Sequence, residues 1–390
     1  MKISNTRVFI DGQFHEDLEV RFDNEKILEI GHNLEDDEVI DGKGNYLYAG
    51  IIDAHMHGGW LRNFNDIKTL PEYGDIEEQV RYILKQCPKY GVTTVFPTLT
   101  GISDEERISS CRAIRKVRKD VDGADPMKIH FECTYMNPDV ISSAIHNWDV
   151  NPSKENTLYF TDNDLSDVAL ISVAPELEGS IEWIKWITSQ GVDVEFGNTK
   201  ATVDQIIEAV DAGVRHCDHI FNGFKPMHHR DSTPTVGVLL DDRVKTQITM
   251  DGFHVAPAWV KLVVKAKGID KCYGITDFSV YSGIEPGEYK FSNGVEIIAK
   301  DDFIYNGNGH IQSGNNTMDK MMRRCRDICG FTQEQVATLY CENPAKCLNI
   351  TDRGKIELGR RSDFVLMDKD FNVLKTIIKG KTYYENHYTD

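Results

Sequence analysis

Hydrophobic and polar positions alternate in two ways along this chain. Near both ends the period is two. "RVFIDGQF", "LEVRFDNEKILEIG" and "EVIDGKGNYLYAG" open the chain, and "GKIELGRRSDFVLMDKDFNVLKTIIKGKTYYEN" closes it. Such alternation predicts half-buried antiparallel strands, with turns at Asp11-Gly12, Asp23-Asn24 and Asp41-Gly42. Between the ends, short apolar runs alternate with segments of helical period. The runs span residues 50–57, 93–98, 128–132, 168–176, 192–197, 216–221, 245–251 and 272–277. The helical segments include "IEEQVRYILKQCPKYG", "DEERISSCRAIRKVRK", "SIEWIKWITSQG", "ATVDQIIEAVDAG" and "PAWVKLVVKAKG". This predicts an α/β fold: a (β/α)8 TIM barrel over residues 51–350, and a small β-sandwich domain from residues 1–50 and 351–390. A doubly wound open sheet is the alternative. No GxGxxG or GxxxxGK[ST] follows any strand, which weakens a nucleotide-binding reading.

Barrel enzymes carry their chemistry at the C-terminal ends of the strands. The first predicted strand ends in His55 and His57, the third in Glu132, the sixth in His219 and the eighth in Asp277. His55 and His57 are two apart, so they share a strand face. As a pair they could grip a metal ion or simply hydrogen-bond. Five such residues meeting by one topological rule favour the metal. Imidazole and carboxylate ligands suit zinc, and also iron, cobalt or manganese. An ion with an open position lowers the pKa of its water to roughly 7. A neighbouring carboxylate can then move the proton, and Asp277 is the candidate. The implied class is metal-assisted hydrolysis of an amide, ester or related bond.

Composition narrows the partners. The formal net charge of −18 argues against a nucleic-acid partner. No apolar run approaches the roughly 18 residues that cross a bilayer, so no membrane partner is expected. The opening residues lack a secretory pattern, and the nine cysteines are scattered. A cytoplasmic protein with reduced thiols is the expectation. Against the acidic background, "HIFNGFKPMHHRD" gathers Lys225, His228, His229 and Arg230. It is either an anion site or a solvated basic loop. His130 reads as a supporting or core histidine, and Glu176 as structural.

Several ordered stretches together resemble one family. They are "GIIDAHMHGG", "IHFECTYMNP", "SVAPE", "FGNTKAT", "DHIFNGFKPMHHR", "DGFHVAPAWVKLVVKAKG", "GITD", "NTMDK" and "NPAKCLNITDRGKIELGRRSDFVLMD". They resemble the N-acetylglucosamine-6-phosphate deacetylases of the amidohydrolase superfamily, over nearly the whole chain. The resemblance implies a metal-bearing barrel with a terminal β-sandwich, usually a homodimer, holding one or two divalent ions per chain. It implies deacetylation of N-acetyl-D-glucosamine 6-phosphate to glucosamine 6-phosphate and acetate in amino-sugar catabolism. Glu132 and His219 match metal ligands, and Asp277 the catalytic aspartate. Asn222, Gly223, Arg230 and His254 match substrate contacts, Arg230 and His254 toward the phosphate. Ile311, Gln312 and Ser313 match a stretch that closes over substrate, and His146 a sugar-contacting histidine.

The chain also departs from the pattern. Asn198 stands where the family usually has a metal-binding histidine, "ECT" replaces E-G-P, and "IQSG" replaces L-A-G-S. Asn is a poor zinc ligand. His55 and His57, absent from some members, are therefore expected to hold the principal ion with Glu132 and Asp277. His219 then serves a weak second position or the substrate. The departures leave two other functions open. One is a related amidohydrolase acting on N-acetylgalactosamine 6-phosphate or another small N-acyl compound. The other is a non-catalytic sugar-phosphate-binding paralogue.

Overall fold

The computed structural model describes residues 1–67, 74–140, 151–291 and 294–386. Eight parallel strands follow one another around the central sheet. They are Ile51–Met56, Val92–Leu99, Ile129–Tyr135, Val168–Val173, Asp193–Phe196, His216–Cys217, Lys245–Ile248 and Cys272–Gly274. The first pairs with the second, and so on to the eighth. Backbone bonds beyond the eighth strand close the ring. Asp277 N–H donates to the His55 carbonyl at 3.1 Å, and His57 N–H to that of Phe278 at 2.9 Å. The sheet is therefore a closed barrel and not an open doubly wound sheet. Strand residues are buried almost throughout, as expected where helices cover a parallel sheet.

The connecting helices include Ile76–Gln86, Asp104–Arg118, Ser180–Ser189, Val203–Ala212 and Pro257–Lys267. Their starts are set locally. Ser103 with Glu106 and Thr202 with Gln205 form reciprocal capping boxes, and Asp75 caps the first helix. Each helix turns an apolar stripe inward, Val80, Ile83 and Leu84 on the first.

The two ends of the chain share one eight-stranded sheet. Lys2–Ile10, Gln13–Glu16, Glu19–Phe22, Ile27–Gly31 and Val39–Ala49 come from the start, and Phe364–Met367, Val373–Ile378 and Lys381–Glu385 from the finish. Ile3, Val8, Phe22, Leu47, Phe364 and Ile377 belong to its own apolar cluster. Two details differ from the sequence reading. Lys2–Ile10 runs parallel to Val39–Ala49. Asp41-Gly42 is also not a turn between strands. The register passes from Ser4 opposite Asp41 to Thr6 opposite Asn45, so the glycines at 42 and 44 sit in a bulge within one strand.

A further antiparallel sheet, unassigned from the sequence, follows the barrel. It comprises Gly287–Lys290, Glu296–Ala299, Phe303–Asn306 and Ile311–Gly314. Asn306-Gly307 between two short apolar runs was the available signal.

Candidate metal centre

The strand ends converge on one point at the mouth of the barrel. His55 Nε2 lies 3.2 Å from His57 Nε2 and 3.5 Å from Asp277 Oδ1. His57 Nε2 lies 3.4 Å from both Glu132 Oε2 and Asp277 Oδ1. His219 Nε2 joins at 2.8 Å from Glu132 Oε1. His55 is fully buried, Glu132 and His219 nearly so, and the Asp277 side chain is 26% exposed. The rim residues are positioned by tight backbone. Cys133, Asn198, Phe221 and Asp277 all have left-handed φ, at 54°, 40°, 79° and 50°. Such residues release the chain from strict alternation, within the third strand at Cys133 and past the strand ends at the other three.

Tautomers decide what the pair of histidines can do. His55 Nδ1 faces two acceptors at 3.1 Å, Gln247 Oε1 and Asp218 Oδ1. His57 Nδ1 faces the Thr98 carbonyl at 3.2 Å. Each Nδ1 therefore carries the proton, and each Nε2 presents a lone pair. Two nitrogens 3.2 Å apart need a proton or a metal cation between them. Ligands 2.0–2.2 Å from a tetrahedral ion lie about 3.3 Å from one another. His55 Nε2, His57 Nε2 and Asp277 Oδ1 present their donors at that spacing, with Glu132 Oε2 3.4 Å from His57 Nε2, so the residues fit a divalent ion.

The charges agree. Three carboxylates, Glu132, Asp218 and Asp277, crowd the imidazoles. Burial opposes a charged His219, but Asp218, Glu132 and Asp277 push its pKa up to about 10. Burial likewise favours a neutral Asp277, but His55, His57 and His219 hold it well below the usual carboxylate range. The cluster is built to hold positive charge.

Beneath it runs a buried polar layer that the sequence reading largely missed. Gln247 Nε2 donates to Glu195 at 2.8 Å, Ser172 Oγ donates to the same carboxyl at 2.7 Å, and His130 closes tightly on it. Burial pushes Glu195 up to about 7 and His130 down to about 3. Asp218, Glu195 and Gln247 were legible only as polar residues inside apolar runs. The short sixth strand explains Asp218. It ends at Cys217, so the chain turns and both Asp218 and His219 face inward.

The family follows from extent. The amidohydrolase family model matches residues 46–383. The chain belongs to the amidohydrolase family. Amidohydrolases similar to it include the N-acetylglucosamine-6-phosphate deacetylase of Lysinibacillus sphaericus, 26% identical over 94% of this chain and 93% of that protein. The Danio rerio enzyme of the same name is 27% identical over 88% and 86%. Among solved structures, the Pasteurella multocida deacetylase superposes with a TM-score of 0.88 at 23% identity, covering 99% of both chains. A Mycobacterium smegmatis deacetylase mutant, in complex with N-acetyl-D-glucosamine-6-phosphate, gives 0.83 at 23%, covering 98% of this chain and 99% of that one.

Of the other sequence-predicted residues, those described in the structure lie on loops and on the additional sheet. Asn222 follows His219 and donates to its carbonyl at 3.3 Å. Gly223, at φ 69°, packs on Asn198, where a Cβ would stand 2.2 Å from Asn198 Oδ1. His254 pairs with Asp251 at 2.7 Å; burial opposes its charge, but Asp251 raises its pKa. Ile311, Gln312 and Ser313 lie on the last strand of the additional sheet, and Ser313 accepts from Ser279 Oγ at 2.9 Å. The following residue, Gly314, is 3.7 Å from the His254 ring when given a Cβ. Arg230 is exposed on the loop after Asn222. His146 lies outside the described residues. Glu176 ties loops together, accepting from Asn137 and Lys200.

Proposed function

We propose that this amidohydrolase removes acetate from N-acetyl-D-glucosamine 6-phosphate, giving glucosamine 6-phosphate. The observation that carries the reading is the trio His55, His57 and Asp277 at tetrahedral spacing, with Glu132 beside His57, in a chain whose relatives from bacteria to vertebrates bear that enzyme name. These residues would hold a divalent ion, zinc by the chemistry of the donors. Such an ion supplies Lewis-acid chemistry, making water nucleophilic near neutral pH and drawing charge from a carbonyl oxygen.

The chain's own residues do the rest. Gln247 and Asp218 fix the His55 ring, and the Thr98 carbonyl fixes His57. Asp277 is ionised and faces the mouth. It takes the proton of the attacking water and delivers it to the amide nitrogen as the C–N bond breaks. The charged His254 anchors the phosphate, joined by Arg230, while Asn222 and Gly223 line the sugar. Ile311, Gln312 and Ser313 cover it. No helix among the described residues is long and apolar enough to cross a membrane. A cytoplasmic homodimer completes the reading, supported by nine free buried thiols and by the resemblance.

The test is turnover. Purified protein should release acetate and free amine from N-acetylglucosamine 6-phosphate, and a chelator should stop it. Thermal stabilisation by this compound without turnover would make the protein a binding module. Turnover confined to the galactosamine isomer or another N-acyl compound would move the substrate.

A further inference from the structure

One cation position uses His55 Nε2, His57 Nε2 and Asp277 Oδ1, with Glu132 Oε2 3.4 Å from His57 Nε2. Three donor atoms beside it are left over. Glu132 Oε1 is 2.8 Å from His219 Nε2, and Asp218 Oδ2 is 3.3 Å from the same nitrogen. Donors of His55, Asp218 and His219 all lie within 4.8 Å of one another.

Asp218 is fully buried. Its Oδ1 is satisfied: His219 N–H donates to it at 2.9 Å, and His55 Nδ1 at 3.1 Å. Among the described residues, its Oδ2 has no hydrogen-bond donor. A buried carboxylate oxygen with no protein donor is costly and calls for a proton, a water or a cation. Asn198, at the end of the neighbouring strand, turns its carboxamide onto Gly223.

We propose that Asp218 is a metal-ligating residue. Its Oδ2 completes, with Glu132 Oε1 and His219 Nε2, a second cation position that shares Glu132 with the first. One carboxylate thus serves both ions. Oδ1 orients His55 toward the first, and Oδ2 binds the second. This inference rests on reading the cluster as a metal centre.

The experiment counts ions. Metal-free wild type and Asp218→Asn are titrated with zinc by calorimetry, and their metal content is measured after dialysis. Asn keeps an oxygen for His55 and His219 but replaces Oδ2 with an amide that cannot ligate. Wild type should take up two equivalents and the variant one. Affinity at the lost position should fall by more than about 100-fold, beyond the 10–100-fold typical of groups that only orient a ligand. Two equivalents in the variant with unchanged affinities would overturn the proposal. A single equivalent in wild type would also overturn it, whether or not the variant folds, while leaving the first position standing. No uptake by wild type would overturn the metal centre itself. Circular dichroism checks that the variant is folded.

Discussion

Asp277 illustrates how much a single position can carry. It has a left-handed φ of 50°, its N–H helps close the barrel, and its carboxylate faces both imidazoles and the opening. L-residues in this conformation typically cost about 1–2 kcal/mol, so the surrounding bonds hold it there. Asp277→Asn keeps the shape and removes the proton acceptor. The expected outcome is a fall in kcat of about 10²–10⁴-fold on N-acetylglucosamine 6-phosphate, measured by steady-state kinetics. Unchanged kcat would reassign the proton transfer. At this scale the sequence was informative about His55 and His57, because a period of two needs no tertiary knowledge. It was silent about Asp218, because alternation places Asp218 and His219 on opposite faces.

At the scale of elements, helix and strand order was legible and the partners of each element were not. The eighth strand, Cys272–Gly274, is flanked by the π-helical turn Thr338–Glu342. A Cβ on Gly274 would meet the Tyr340 ring at 2.2 Å. Tyr340 is fully buried, so the ring has little room to retreat. Gly274→Ala is expected to destabilise the fold by about 1–3 kcal/mol, read as a lower Tm. In a Tyr340→Ala background the same change should cost less, because the clash is gone. Equal costs in both backgrounds would remove the ring as the cause. The additional sheet at 287–314 went unassigned because its strands are short and carry charges on their exposed faces. Its apolar cluster, Phe291, Ile297, Ala299 and Ile304, gathers partners such as Leu61 from far along the chain.

At the scale of the molecule, the terminal segment is pinned to the barrel by charge. Arg353 and Arg361 both donate to Asp125, at 2.6 and 2.5 Å, beside the second barrel strand. Burial favours a neutral Asp125, but the two guanidinium groups hold its pKa below 3.8. A folded pKa below the unfolded one contributes stability above that value and loses it as the pH falls through the folded pKa. Asp125→Asn should therefore cost about 3 kcal/mol at neutral pH. The gap to wild type should shrink below pH 3.8, as followed by urea unfolding across pH. A gap independent of pH would remove ionisation as its source. By itself the sequence determined the α/β alternation, the alternating strands at both ends and the five strand-end residues. Each of these depends on local periodicity and on a topology rule common to parallel barrels. Only the tertiary structure decided that the barrel closes through Asp277 and Phe278, that Gln247 and Thr98 choose the histidine tautomers, and that Asp218 turns inward. Those depend on atoms brought together from distant parts of the chain, and no periodicity records such meetings.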